Sequence, residues 1–381
     1  LGTCELASAG TTPLKNMRGF ATIREKLLSQ EKGTIRKRSF KHRFALGFPN
    51  TYELGMSNLG FQSIYRLFNQ WEEIFCERFF WFDYDPRTGV RTLESNLPLR
   101  SFSVVAFSVA YELDYLNVLK SLKLSEIPLK SSQRDEKYPL VIGGGVALTL
   151  NPETMADFFD LIFIGEAEKT FDQFIQTYLE CFDLKLSRKE TLLKLAEVEG
   201  VYVPRFYTPT YKEDGWLKNI SAQGGLPKKI KTNKADLSTT QTFSAVVSPR
   251  THFKNTFLVE VGRGCARGCR FCAAGFIYRP CRFHTSNSII EQAEEYSRDM
   301  KNIGLVGSLI SDLPDLEKIA SELYLRDFKI GISSFRAERV SREFLEILVD
   351  SGLKSLTVAP EVATLRMWRI INKGINREDV L

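Results

Sequence analysis

Four short apolar runs in the first half of the chain, at 44–48, 104–109, 140–142 and 161–164, are each followed by sequence with helical spacing. That alternation predicts a parallel sheet covered by helices. Leu59, Ile64, Leu67 and Phe68 form one helical stripe, and Leu113, Leu116, Leu119 and Leu122 form another. Both are expected to pack against the sheet. Gly143-Gly144-Gly145 follows a strand directly, where an open α/β sheet lets backbone approach a ligand, or where a tight strand-to-helix connection needs glycine. From Phe257 a second alternation begins, with strands at 257–261, 303–306, 329–333 and 355–358 and helices at 289–300, 316–323 and 342–349. It predicts the start of a (β/α) barrel whose working residues lie at the carboxyl ends of its strands.

These patterns divide the chain into a basic arm at 1–43, an α/β domain at 44–197, a connecting region at 198–250 and a barrel region at 251–381. The arm ends in Arg36-Lys37-Arg38 and Lys41-His42-Arg43, which read as a solvated segment flanking the first strand. The connecting region is rich in Gly, Pro, Tyr and Lys and has room for one small hairpin. The chain has 381 residues, 43% hydrophobic and 26% charged, with a net charge of +6. That length suits two domains, and so small a charge gives nucleic-acid binding no support. With no apolar run of membrane length and no export signal, a soluble cytoplasmic protein is expected. The chain opens without Met, and only about four strand–helix units precede Leu381. The expectation is a barrel truncated at its C-terminus, in a gene that continues.

Three of the seven cysteines stand within eight residues, Cys265, Cys269 and Cys272, in the pattern C-x3-C-x2-C. This does not resemble a disulfide framework. Thiolates are soft ligands, and this spacing lets one loop serve three corners of an iron–sulfur cubane. Glycines at 262, 264 and 268 free the backbone to turn amides toward sulfur, and Arg263, Arg267 and Arg270 are expected to offset the cluster's charge. The alternatives are a zinc site completed by Cys281 or His284, which would lack the usual second pair of ligands, or a chance grouping of structural cysteines. Cys4, Cys76 and Cys181 are scattered and read as ordinary residues.

Cys-x3-Cys-x-Phe-Cys after a first barrel strand resembles the radical S-adenosylmethionine (SAM) superfamily. The resemblance implies a [4Fe–4S] cluster on Cys265, Cys269 and Cys272, with its fourth iron left for SAM. It also implies reductive SAM cleavage to a 5′-deoxyadenosyl radical and a reductant such as flavodoxin or ferredoxin. Gly307 and Ser308, ending the second strand, resemble the family's glycine motif near the methionine amino group. Arg336 and Glu361, ending the third and fourth, resemble its ribose or carboxylate contacts; the alternative is a structural ion pair. The first domain, with Met56-Ser57-Asn58-Leu59-Gly60, Gly143-Gly144-Gly145, Asn151-Pro152-Glu153 and Gly165-Glu166-Ala167-Glu168, resembles the cobalamin-binding-like Rossmann domain preceding many such barrels. The fold class implied is α/β, a Rossmann-like doubly wound parallel sheet followed by a partial radical SAM barrel. No His falls between Phe44 and Glu197, so the histidine that ligates cobalt in cobalamin domains is absent; the resemblance leaves open cobalamin bound without a lower protein ligand, and tight binding is not expected. The substrate is not legible. The competing functions are a non-catalytic cluster-binding or electron-transfer module and a methylthiotransferase, whose second cluster would need a third cysteine beside Cys76 and Cys181.

Overall fold

The computed structural model describes residues 17–81, 89–297, 299–332, 335–336, 341–375 and 378–379, with side chains of the first helix from residue 23 onward. Its first half holds α1 (Met17–Gln30), β1 (His42–Phe48), α2 (Tyr52–Met56), α3 (Leu59–Gln70), β2 (Ile74–Phe80), β3 (Val104–Ser108), α4 (Tyr115–Leu124), β4 (Leu140–Gly144), α5 (Val146–Leu150), β5 (Leu161–Phe163), α6 (Phe171–Asp183) and α7 (Arg188–Leu195). A short β6 (Val201–Tyr202) completes a sheet in the order β2-β1-β3-β4-β5-β6. Strands β1 to β5 pair in parallel and β6 runs antiparallel to β5. The chain turns from one side of β1 to the other between β2 and β3, which makes the carboxyl ends of β1 and β3 the switch point where such sheets bind ligands. The expected doubly wound sheet is present.

Three expectations need correction. Strand β2 was not foreseen, because Glu77 and Arg78 interrupt its apolar run, yet all seven of its residues are buried. Arg78 is neutralised in place: its guanidinium donates to Glu94 at 2.7 Å and to both oxygens of Glu31 at 2.7 and 2.8 Å. Glu31 comes from the segment read as a solvated arm, whose described part instead packs on the sheet. There Lys37 donates to the carbonyls of Trp71 and Ile74, Arg43 pairs with Glu77, and His42 is buried against Tyr178 and Phe182. The second leucine stripe packs only in part. Leu113 precedes α4 and Leu116 points outward, 74% and 64% exposed, because Val118 and Leu122, four apart, set the buried face of that helix.

The connecting region supplies the foreseen hairpin, β7 (Tyr207–Tyr211) with β8 (Leu217–Ala222). It then returns along the first domain, bridging Gly165 through Asn233, and meets the next strand through Phe243. The second half contains β9 (Phe257–Arg263), α8 (Ala274–Ile277), β10 (Arg282–Phe283), α9 (Ser286–Tyr296), β11 (Asn302–Gly307), α10 (Leu316–Leu325), β12 (Lys329–Ile332), α11 (Arg342–Asp350) and α12 (Leu365–Ile371). Its sheet runs β10-β9-β11-β12, parallel except for β10. The expected fourth strand at 355–358 is a single bridge, Phe335 to Val358. Of the positions singled out in the sequence, Cys4, residue 333 of the third strand and Leu381 lie outside the described residues.

The first half meets the connecting region and the start of the barrel region through polar bonds. Arg66 donates to the Gln241 carbonyl at 2.6 Å, the Val246 amide donates to the Gln62 side chain at 2.9 Å, and the His252 amide donates to Ser57 Oγ at 3.0 Å. Among the described residues no helix is long and apolar enough to cross a membrane.

Candidate active site

Strand β9 ends at Arg263, and the chain then makes a loop over residues 264–281 before β10 returns. Gly264 has φ of +81°, and a Cβ there would stand 2.2 Å from the Tyr278 carbonyl oxygen. Only glycine lets the loop close on itself at that point. Cys269 is buried and Cys265 and Cys272 are half-buried, all three as free thiols. The Arg267 amide donates to Cys265 Sγ at 3.4 Å, the amide-to-sulfur support that thiolate ligands use. Remote elements pin the loop: Asn372 donates to the Gly268 carbonyl at 2.8 Å, the Arg270 amide to Ile371 at 2.9 Å, and Arg267 grips Asp312 at 2.9 and 3.0 Å. Gly264→Ala is therefore expected to cost about 1–3 kcal/mol of stability through backbone strain and to lower iron retention. Denaturant melts beside iron counts check this; wild-type values for both would show the close approach to be relaxed at no cost.

The donor set fits a [4Fe–4S] cluster better than zinc. Cys281 turns its thiol to the Gly264 carbonyl at 3.6 Å, and His284 is buried with Nε2 3.5 Å from Glu260. Among the described residues no three His, Cys, Asp or Glu side chains converge as a single metal ion requires. Corner ligands of a cubane bind separate irons and surround a larger centre than one ion.

The loop arginines are not free to face that charge as expected. Arg267 is committed to Asp312, and Arg270 donates to the Ile370 carbonyl at 2.7 Å. Arg263 lies in a carboxylate nest: Glu260 at 2.9 Å, Glu168 at 2.6 Å and Glu166 at 3.2 Å, with Thr242 Oγ1 at 3.0 Å. Burial alone would raise the Glu166 and Glu260 carboxyls. The bonds from Arg282 and the charge of Arg263 outweigh it for Glu166, and Arg263 with His284 outweighs it for Glu260, so both lie below the ordinary range.

A cavity of about 650 Å³ opens between the carboxyl ends of the two sheets. One wall is the switch point of the first domain, with Phe107, Ser108 and Gly143 to Gly145. Gly145, at φ +108°, lets the chain pass 2.4 Å from where a Cβ would meet the Val109 carbonyl. The other wall is Gly262, Gly264, Tyr278, Gly307 and Ser308. Gly307 and Ser308 thus line the cavity, next to the strand that feeds the cysteine loop. Arg336 and Glu361 do not line it. Both engage Lys373, Arg336 donating to its carbonyl at 3.0 Å and Glu361 pairing with its ammonium at 3.2 Å. Glu166, Glu168, Glu260 and Thr242 line the cavity and were not singled out as site residues. Their signal was present for the first two, a Gly-Glu-Ala-Glu run directly after a strand.

Comparison with known proteins follows this geometry. Residues 60–204 match the family described as radical SAM proteins, N-terminal, and residues 259–381 match the radical SAM superfamily. An uncharacterised protein of Methanocaldococcus jannaschii is 26% identical over 338 residues, covering 88% of this chain and 64% of that protein. Among solved structures, the radical S-adenosylmethionine methyltransferase TsrM from Kitasatospora setae, with cobalamin and a [4Fe–4S] cluster bound, matches with a TM-score of 0.55 at 12% identity. That match covers 89% of this chain and 63% of TsrM. The chain therefore spans a little under two thirds of the length of each. At such identity the second likeness is one of fold.

Proposed function

The chain belongs to the radical SAM superfamily, a superfamily of enzymes, and from that premise we propose that it cleaves SAM reductively at a [4Fe–4S] cluster and begins radical chemistry on a substrate held in the interdomain cavity. The observation that carries this reading is that the three-thiol loop springs from the cavity wall: Gly264 lines the cavity and directly precedes Cys265, while the cysteines themselves stand outside the lining. Cys265, Cys269 and Cys272 would each hold one iron as thiolate. When bound, the cluster supplies the electron that breaks a carbon–sulfur bond of SAM. Gly307 pairs in register with Gly262, and both line the cavity with Ser308; the amino-acid part of SAM would lie against this stretch of backbone, with the Ser308 hydroxyl beside it. Leu59, Ile64, Phe68, Phe107, Phe163 and Phe171 line the first-domain half. They exclude water from a reaction that water would quench. A flavodoxin- or ferredoxin-like protein would deliver the electron.

Anaerobic reconstitution with iron and sulfide, then dithionite and SAM, should yield 5′-deoxyadenosine. A fully reconstituted cluster that yields none favours the electron-transfer module instead. The methylthiotransferase reading has little support, since Cys76 and Cys181 are buried separately in β2 and α6.

Cobalamin is the ligand a second reading assigns to the first-domain half of the cavity, because the TsrM chain that shares this fold holds it. The residues here do not supply a cobalt ligand: the cavity lining contains no His, Cys or Met, and His42 is buried at the opposite end of β1. Protein from cells supplied with cobalamin is expected to purify without a stoichiometric amount. Copurification at one per chain would overturn that.

A further inference from the structure

The cysteine loop leaves and re-enters the sheet through a very short neck. β10 pairs with β9 at two positions only, Arg282 opposite Arg263 and Phe283 opposite Gly262. Two arginines directly opposite each other on an antiparallel pair repel. Next to that ladder the His284 amide donates to the Val261 carbonyl at 3.0 Å, a neutral bond that leaves the repulsion in place. Glu166 of the first domain reaches both of them: its carboxylate accepts from Arg282 at 2.6 and 3.0 Å and from Arg263 at 3.2 Å. The same carboxylate accepts the Ala235 amide at 2.8 Å, and Ala235 accepts in turn from Arg282 at 2.7 Å, so its own orientation is fixed. Of the two arginines, Glu168 and Glu260 engage Arg263 and not Arg282 among the described contacts.

We propose that Glu166 is a positioning residue that closes the neck of the cysteine loop from across the cavity, so that the first domain, and not the barrel alone, sets where the three thiols stand. It acts by converting the repulsion of Arg263 and Arg282 into a shared attraction to one buried carboxylate. Glu166 also lines the cavity, so a ligand seated against the first domain touches the group that holds the loop. The functional consequence rests on the proposed cluster-bearing role of the loop; the neck itself does not.

The test is amide hydrogen exchange on the full chain without added iron. In Glu166→Gln, residues 264–281 should exchange roughly tenfold faster or more, as expected when one partner of a buried charge set is lost, while β3 and β4 keep their protection. Removing one of the repelling cations should restore closure, so Glu166→Gln with Arg282→Met is expected to recover most of the protection. Glu168→Gln should have a smaller effect, because Arg263 retains Glu260 and Glu166. In reconstituted protein, the electron paramagnetic resonance signal of the reduced cluster with SAM should broaden in Glu166→Gln and sharpen again in the double variant. Should Glu166→Gln not fold, Glu166→Asp keeps the charge but shortens its reach and should show the same opening in weaker form. Wild-type exchange at 264–281 in the variant, or a rise spread equally over the first sheet, overturns the proposal. Absence of any cluster in the wild type would overturn the radical SAM reading and leave the exchange result standing.

Discussion

Replacing any one of Cys265, Cys269 or Cys272 by Ala should remove the stable cluster and bring 5′-deoxyadenosine formation to background, while Cys281→Ala keeps both. The reason lies in the arrangement around the loop. The three thiols share one short segment pinned by Asn372, Asp312 and the α12 carbonyls. A cubane held at three corners by one such loop loses a ligand that only a neighbouring thiol could replace. Cys281 is the obvious understudy, but its sulfur is turned to the Gly264 carbonyl, and burial pushes its thiol away from the thiolate that iron needs. Iron and sulfide counts on anaerobically reconstituted protein should fall from about four per chain to a small residue in the three variants. Equal iron loss in Cys281→Ala and Cys272→Ala would mean that the ligand set is wrongly assigned.

The second large effect belongs to the far side of the first sheet. Arg78→Met should destabilise the fold by about 3–5 kcal/mol, because it leaves Glu31 and Glu94 buried without their cation. Burial raises the Glu31 carboxyl, but the charge and bonds of Arg78 outweigh it and hold it below the ordinary range. The sign of the pH dependence follows. A depressed carboxyl contributes stability that is present above its unfolded value, near 4.3, and is lost as pH falls through the lower folded value. Glu94 differs: burial already holds its carboxyl above the ordinary range in spite of Arg78. In the variant Glu31 keeps bonds from Thr34 and Tyr52, and Glu94 keeps those from Tyr65 and the backbone amide of residue 78, but the cation that lowered both is gone, so both rise. The folded state then binds more protons than the unfolded one, and stability should grow as pH falls from neutrality. Denaturant midpoints at several pH values check the inversion. Adding Glu31→Gln and Glu94→Gln should return much of the loss, since apolar or neutral groups of similar size tolerate that site better than unpaired charge. An Arg78→Met variant with wild-type stability and unchanged pH slope would show that water reaches the pair.

What the sequence made legible and what it hid divide along physical lines. The strands with unbroken apolar runs, β1, β3 and β4, were plain, as was the short segment that groups Cys265, Cys269 and Cys272 at the end of β9. Strand β2 was hidden because its buried charges look like surface until Glu31 and Glu94, distant in sequence, are brought to them. Leu113 and Leu116 misled because periodicity reports a stripe but not where the helix begins. Arg263 was read from its neighbours in sequence, the cysteines, whereas its partners Glu166 and Glu168 come from almost a hundred residues earlier. Arg336 and Glu361 were placed by strand-end analogy, and the fourth strand end on which Glu361 depended is one bridge. Local chemistry was readable; long-range charge pairing was not.

The cavity has one wall from each half, and its rim is stitched by Glu166 and Glu168 on one side and Arg263 and Arg282 on the other. Neither half therefore carries the chamber by itself. A first domain exchanged for that of a relative would bring a different floor and would also have to match the cationic side of the seam, or the loop would open at the moment of grafting. The two halves of this protein form a lock whose wards are cut on both pieces, and new chemistry can be reached by recutting the floor more readily than by swapping the piece.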